Sequence, residues 1–306
     1  MKLLPVFLFK ILFLSNIYCA FKYPLELPGS QSYIYKTSKE GDLRLWAFFP
    51  DSHKPTDKRP AIVFFFGGGW KSGSPIQFAP HCRYLASRGM VAMTADYRVL
   101  SRHGTKADSC VEDGKSAIRW IRQNVCKLGV DPNKIAAGGG SAGGHVAASI
   151  GIIKGFEAEG EDHSVPSKPD ALVLFNPAVT LLDIECKYDF PNEKEATMHD
   201  RAGVHPKELS PYHHIRKGLP PTIIFHGTND SAVDHKTVVL FESRMQLFSN
   251  QCRLASYNGQ PHGFFNYGRD GNTYFQKTVM EMDLFLNKLG WLNGKCTVSN
   301  FLKTNE

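Results

Sequence analysis

The run Gly138-Gly139-Gly140-Ser141-Ala142-Gly143-Gly144 concentrates most of what could do chemistry in this chain. Gly139-x-Ser141-x-Gly143 is the spacing of a nucleophile elbow, a sharp strand-to-helix turn with serine at its tip. Such a turn forces the serine backbone into a strained conformation. A side chain two residues before or after would strike neighbouring elements, so both positions call for glycine. The turn lifts the Ser141 hydroxyl above the sheet at the start of a helix. There the N–H of Ala142 can face a developing oxyanion.

The same residues spell Gly138-x-Gly140-x-x-Gly143, the pattern that cradles a pyrophosphate in dinucleotide sites. That reading needs an acid ending the next strand, about 20 residues on. The next strand ends in Asn176-Pro177, and Glu157, Glu159 and Glu161 fall in a loop. The second requirement is therefore unmet. A plain tight turn with Ser141 as helix cap is the other alternative.

A second glycine cluster, Gly67-Gly68-Gly69-Trp70, follows a β-branched and aromatic run ending at Phe66. Without side chains, its N–H groups can turn toward a ligand. Gly68 and Gly69 are the expected donors of an oxyanion hole shared with Ala142, and Gly67 stays open as an alternative.

A serine hydroxyl is a weak nucleophile without a base beside it. His262, in Pro261-His262-Gly263-Phe264, follows a strand expected over 253–257 and is the candidate base. Asp230, in His226-Gly227-Thr228-Asn229-Asp230, follows a strand expected over 222–225 and is the candidate acid that orients it. Asp234 is the rival. It stands directly before a helix expected over 235–249, where an N-cap aspartate belongs. His145 lies four residues beyond Ser141 on a face expected to pack on the sheet. His213 and His214 lie in an irregular segment. No HExxH or comparable ligand spacing occurs, so neither a metal nor another cofactor is indicated.

These groups need a scaffold that gathers strand ends. Continuous apolar runs at 61–66, 90–97, 134–137, 171–175 and 222–225 read as strands buried on both faces. Helical periodicity covers 75–88, 107–128, 141–154, 235–249 and 273–289. Two further strands, 33–36 and 43–49, flank a Gly41-Asp42 turn. Alternating strands and helices mean a mostly parallel sheet covered on both faces, with right-handed crossovers and its site at the strand carboxyl ends. Residues 178–220 are polar, proline-bearing and read as an irregular insertion within one domain spanning 21–306.

At 306 residues, with 42% hydrophobic and 21% charged residues, the composition is that of a folded globular chain. No run approaches the ~18 apolar residues of a spanning helix. The net charge of +7 is dispersed, without a Lys/Arg block, which gives nucleic-acid binding little support. Residues 1–20 carry Lys2, Lys10 and two apolar stretches, the pattern of a secretory signal peptide, so export is expected. Its loss would remove Cys19 and leave Cys82, Cys110, Cys126, Cys186, Cys252 and Cys296. Six cysteines in an exported chain permit three disulfides; the alternative is that several are free buried thiols. Cys110 and Cys126 cannot pair, being about 24 Å apart along one expected helix.

Taken together, Ser141, Asp230, His262 and the Gly67–Trp70 cluster resemble the α/β-hydrolase superfamily, and most nearly its hormone-sensitive-lipase-like and bacterial feruloyl-esterase-like branches. The chain order serine, acid, histidine is the order of that superfamily. Asp96-Tyr97-Arg98 is similar as well. The resemblance covers roughly residues 30–290 and departs at Phe66, where a histidine usually braces the glycine loop, and at Asp234, where proline often stands. It implies a serine carboxylic-ester hydrolase working through an acyl-enzyme. Trp70 would line the acyl site, and Tyr188, Phe190 and His213 would belong to a cap over it. Acetyl or feruloyl esters of a polysaccharide, or small esters, are the implied substrates. An arylformamide or amide hydrolase and a non-catalytic binding protein of the same fold are the alternatives.

Overall fold

The computed structural model describes residues 25–304. The expected leader and Cys19 lie outside them.

Alternation along each strand builds the core from both sides of one sheet. In β3 (Arg59–Phe65), Ala61, Val63 and Phe65 enter one apolar cluster, while Ile62 and Phe64 enter the other. β6 (Ala171–Phe175) and β7 (Thr222–Gly227) divide their side chains the same way. A strand apolar on both faces demands cover on both, as parallel sheets require. α3 (Ala107–Gln123), α5 (Ala142–Ile152) and α7 (His235–Leu247) bury their apolar stripes in the first cluster. α1 (Ala79–Ser87), α8 (Thr273–Lys288) and α9 (Val298–Thr304) bury theirs in the second.

The sheet has eight strands in the order β1-β2-β4-β3-β5-β6-β7-β8. β1 (Gln31–Ser38) and β2 (Gly41–Phe48) form the expected hairpin, and β2 pairs antiparallel with β4 (Val91–Ala95). All other pairs are parallel, including those of β5 (Val130–Gly140) and β8 (Cys252–Tyr257). The chain leaves β3 outward to β4 and returns past it to β5. The helix of the outward step lies on one face and that of the return step on the other, as crossovers of one hand require. The reversal puts a switch point between β3 and β5, where ligands bind in open α/β sheets.

Several elements depart from their expected bounds. The segment 75–88 opens as a 3-10 turn, Pro75–Phe78, capped by Ser74, before α1 begins. The segment 107–128 breaks at Asn124, whose side-chain amide donates to the Trp120 carbonyl, and resumes as α4 (Val125–Leu128). A short α2 (Leu100–His103) precedes it. β5 runs on through Gly138 and Gly139, which pair with both β3 and β6, to Gly140, which pairs with β6. A Cβ on Gly138 would stand 2.6 Å from the Phe64 ring, so glycine lets the large ring fill that face. The insertion is not wholly irregular: it holds α6 (Asn192–Ala202) and a 3-10 turn, Pro211–His214.

All six cysteines among the described residues are unpaired. Cys82 and Cys110 are fully buried, and burial pushes both thiols up from their ordinary pKa. The Cys110 thiol donates to the Arg98 carbonyl at 3.1 Å.

Candidate active site

The four expected segments meet at the carboxyl edge of the sheet. Ser141 follows β5, Asp230 follows β7, His262 follows β8, and Gly67 to Trp70 follow β3.

Ser141 sits at φ 55°, ψ −119°, a strained backbone for a residue with a Cβ. Its N–H donates to the Phe175 carbonyl at 2.9 Å, which anchors the turn to β6. A Cβ on Gly139 would stand 2.4 Å from the Gly143 carbonyl oxygen. One on Gly143 would stand 2.1 Å from that of Phe65. Both glycines are thus required by sterics, as the spacing demanded.

His262 Nε2 lies 3.0 Å from Ser141 Oγ, and His262 Nδ1 lies 2.7 Å from Asp230 Oδ2. Asp230 Oδ1 accepts the N–H groups of Ala232 and Val233, each at 2.9 Å. The buried His226 closes the turn: its Nε2 donates to the Val233 carbonyl at 2.9 Å and stands 3.3 Å from Asp230 Oδ2. Burial opposes ionisation of Asp230. Hydrogen bonds from His226, His262 and the Val233 N–H outweigh it and hold the carboxyl well below the usual carboxylate range. With Asp230 ionised, Nδ1 of His262 carries the ring proton. Nε2 is then left bare to accept from the serine hydroxyl.

Asp234 takes the capping role instead. It is the N-cap of α7 and accepts the Lys236 N–H at 2.8 Å.

The glycine loop distinguishes its own members. Gly67 N–H is spent on Gln77 Oε1 at 2.7 Å, which removes it as a free donor. Gly68 and Gly69 adopt φ 137° and 63°, and no hydrogen bond from either N–H to another protein group occurs among the described residues. Ala142 opens α5, where the first N–H groups have no intrahelical acceptor. Gly68, Gly69 and Ala142 line one cavity together with Ser141.

Bracing at the Phe66 departure comes from three sources. The Phe66 ring stacks on Tyr97 at 4.2 Å between centroids, and Tyr97 Oη donates to the Phe66 carbonyl at 2.6 Å. Gln77 supplies the third. The neighbours of Tyr97 fix it in turn: Asp96 is held by Arg102, and Arg98 grips Asp113. The Asp96-Tyr97-Arg98 motif is therefore a support for the loop.

A cavity of about 590 Å³ opens above Ser141 and His262. Trp70 lines it, although only 5% exposed, and its indole N–H donates to His145 Nδ1 at 3.2 Å. His145 does more than pack on the sheet. Its Nε2 donates to the Leu209 carbonyl at 2.7 Å, tying α5 to the insertion, and burial lowers its pKa to about 4. Tyr188 and Phe190 line the cavity as expected of a cap. His213 does not; its Nδ1 bonds Ser210 Oγ at 2.8 Å, and burial lowers its pKa to about 4. The α6 side chains Lys194, Met198 and Arg201 take its place on the wall. Sequence reasoning missed them along with the helix, whose signals were Glu193 and Glu195 in the first turn and Gly203 after the last. It also missed Asn176 and Asn266. Asn176 Oδ1 accepts the Gly263 N–H at 3.1 Å, and Asn266 Nδ2 donates to the Gly263 carbonyl at 2.8 Å.

Among the described residues no group of three or more His, Cys, Asp or Glu is placed to hold a metal, and no helix is long and apolar enough to cross a membrane.

The chain is similar to known esterases. The esterase LipC of Mycobacterium tuberculosis (strain ATCC 25618 / H37Rv) is 30% identical over 260 residues, which cover 77% of this chain and 60% of LipC. The chain therefore spans less than two thirds of that relative. Esterase 2 of Thermogutta terrifontis, phosphonylated by sarin, superposes with a TM-score of 0.87 at 51% identity, covering 90% of this chain and all of the other. Its propionate-bound structure gives a TM-score of 0.84 at 51% identity, covering 90% of this chain and 99% of the other. The eight-stranded sheet with helices on both faces is the α/β-hydrolase fold of these esterases. The BD-FAE family model matches residues 48–245, a span that includes Ser141 and Asp230 and stops short of His262. The chain belongs to the BD-FAE family, in the hormone-sensitive-lipase-like branch of the α/β-hydrolase superfamily.

Proposed function

We propose that the protein is a serine carboxylic-ester hydrolase. The observation that carries this reading is the unbroken line from Ser141 Oγ through His262 to Asp230, at 3.0 and 2.7 Å. Ser141 Oγ attacks the ester carbonyl while His262 Nε2 takes its proton. The imidazolium is stabilised by Asp230, which stays ionised. The oxyanion of the tetrahedral intermediate is held by the N–H groups of Gly68, Gly69 and Ala142. Collapse breaks the bond to the alkoxide, which leaves with the proton from His262. Water, deprotonated by His262, then attacks the acyl-enzyme and releases the acid and free Ser141.

Several features support a short or compact acyl group on a small or glycan-borne ester. The T. terrifontis esterase 2 is described with propionate bound. The cavity wall combines Trp70, Tyr188 and Phe190 with the polar α6, a mixture suited to an ester on a hydroxylated carrier. The pattern of residues 1–20 supports export toward such a carrier. The test is a series of p-nitrophenyl esters from acetate to palmitate, beside p-nitrophenyl ferulate, acetylated xylan and formanilide. Turnover of short esters with little on palmitate is expected. Preferential cleavage of formanilide would replace the ester reading with an amide one.

A further inference from the structure

Ester hydrolysis alone leaves one cation in the cavity without a role. Arg201 stands in the last turn of α6 and lines the cavity. Among the described residues it makes no hydrogen bond and no ion pair, and its Nε is shielded from solvent with no partner. Arg98, Arg102, Arg119 and Arg88 each meet a carboxylate, on Asp113, Asp96, Glu157 and Asp283, while Arg216 donates to backbone carbonyls and Arg244 lies over the Tyr212 and Phe248 rings. The carboxylates nearest in sequence to Arg201 and in the cavity are engaged elsewhere. Asp200 pairs with Lys106 at 3.2 Å, and Asp234 caps α7. The C-terminal turn of a helix favours a cation. It does not fill the five-donor fork of a guanidinium, which matches a carboxylate in two parallel hydrogen bonds.

The position of the fork is specific. Arg201 Nη1 lies 3.7 Å from the point where a Cβ on Gly69 would stand. It therefore overhangs the loop that would hold the scissile carbonyl. Lys194, about two turns earlier on α6, donates to the carbonyls of Ser231 and Ala232, and adds a second positive charge to the cavity.

We propose that Arg201 is a specificity residue that receives a carboxylate carried by the substrate ester, an inference that rests on the hydrolase reading above. The substrate class is an ester with a free carboxylate a few bonds from the scissile carbonyl. The carboxylate belongs either to the acyl part, as in the half-ester of a short dicarboxylic acid, or to the alcohol part, as in the acetyl ester of a hydroxy acid or uronic acid.

Two substrate pairs separate these sources in a pH-stat assay: monoethyl succinate against ethyl butyrate, and O-acetyl-lactate against isopropyl acetate. The quantity read is the ratio of kcat/KM, charged over neutral, in the wild type, Arg201→Gln and Arg201→Lys. The proposal expects Arg201→Gln to lower the ratio by about ten- to a hundredfold in one pair, the usual range for a lost charge-assisted hydrogen bond. Arg201→Lys should restore part of it. A ratio unchanged in both pairs overturns the proposal, including the case where charged and neutral esters slow together. A binding arm reads the same residue without turnover: calorimetry of monoethyl succinate and of O-acetyl-lactate with Ser141→Ala, with and without Arg201→Gln. Binding that depends on Arg201 in a wild-type protein that hydrolyses no ester would sink the hydrolase reading and leave the anion site standing. Turnover of neutral esters with no effect of Arg201 on ratio or binding would do the reverse, and no Arg201-dependent effect in either arm ends the proposal outright.

Discussion

Gln77 Oε1 accepts the Gly67 N–H at 2.7 Å, and the same amide donates through Nε2 to Asn266 Oδ1 at 2.9 Å. Asn266 in turn donates to the carbonyl of Gly263, the residue after His262. One side chain therefore links the glycine loop after β3 to the loop that carries His262, the proposed oxyanion donors to the proposed base. With Tyr97, it braces the loop at the point where Phe66 stands.

Gln77→Ala should therefore damage the transition state more than substrate binding. Oxyanion donors act through preorganised position, and loss of one costs about 100- to 1000-fold. Loosening the loop without deleting a donor should cost less, about tenfold in kcat with a smaller change in KM. Steady-state kinetics on p-nitrophenyl butyrate, with a thermal melt to confirm folding, checks this. A rise in KM at constant kcat would assign Gln77 to substrate contact instead.

Asp230 and Asp234 stand four residues apart and should behave differently. Asp230→Asn cannot hold the His262 tautomer that leaves Nε2 bare, and a loss of about 10,000-fold in kcat is expected from that alone. Asp234→Asn keeps a competent N-cap and should change turnover by less than about threefold. Measuring kcat for both variants decides between them; the opposite order of effects would move the acid to Asp234.

His81 is wholly buried against Phe64, Phe78, Phe175 and Phe275, and neither ring nitrogen has a hydrogen-bond partner. Burial lowers its pKa to about 3, against an ordinary value of 6.5. The unfolded chain therefore takes up a proton below about pH 6.5 that the folded protein refuses. Stability falls as pH drops from 6.5 toward 3 on this account. At pH 5 the cost is about 2 kcal/mol. His81→Leu removes it and should flatten the acid limb of the stability curve. Urea melts of both proteins at pH 5 and pH 7.5 read the difference; an equal change at the two pH values would refute the assignment.

Gly143→Ala should fail to fold well, because its Cβ would stand 2.1 and 2.3 Å from two successive carbonyl oxygens of β3 and the loop after it. Either β3 or α5 must shift, which costs more than the about 1–3 kcal/mol usual for overpacking. Soluble yield and the melting temperature test this. A variant as stable as the parent would show that the elbow has room the geometry denies.

Ser141, the proposed nucleophile, was legible because the turn that presents it admits so few side chains. Glycine at 139 and 143 is dictated by carbonyls that a Cβ would strike, so Ser141 could be found from its neighbours alone. Asp230 and His262 were legible by their place after apolar strands and by the order serine, acid, histidine. Helix α6 was not, since only Met198 and Ala202 are buried among its described side chains and two residues make no stripe. The Gln77 brace of the glycine loop was hidden for another reason. Gln77 works through Asn266, 189 residues along the chain, and no local pattern links them. Six cysteines suggested staples, yet Cys82 and Cys110 sit in apolar surroundings as small hydrophobic residues, a use that spacing cannot distinguish from pairing.

The central claim is that Ser141 is a nucleophile activated by His262. Incubating the folded protein with a fluorophosphonate and mapping the adduct by mass spectrometry tests it directly. The account predicts one adduct on Ser141, formed in step with loss of esterase activity, at least about 1000-fold slower in His262→Ala and absent in Ser141→Ala. Folded wild-type protein that remains unlabelled at Ser141, or that labels at the same rate without His262, would contradict it.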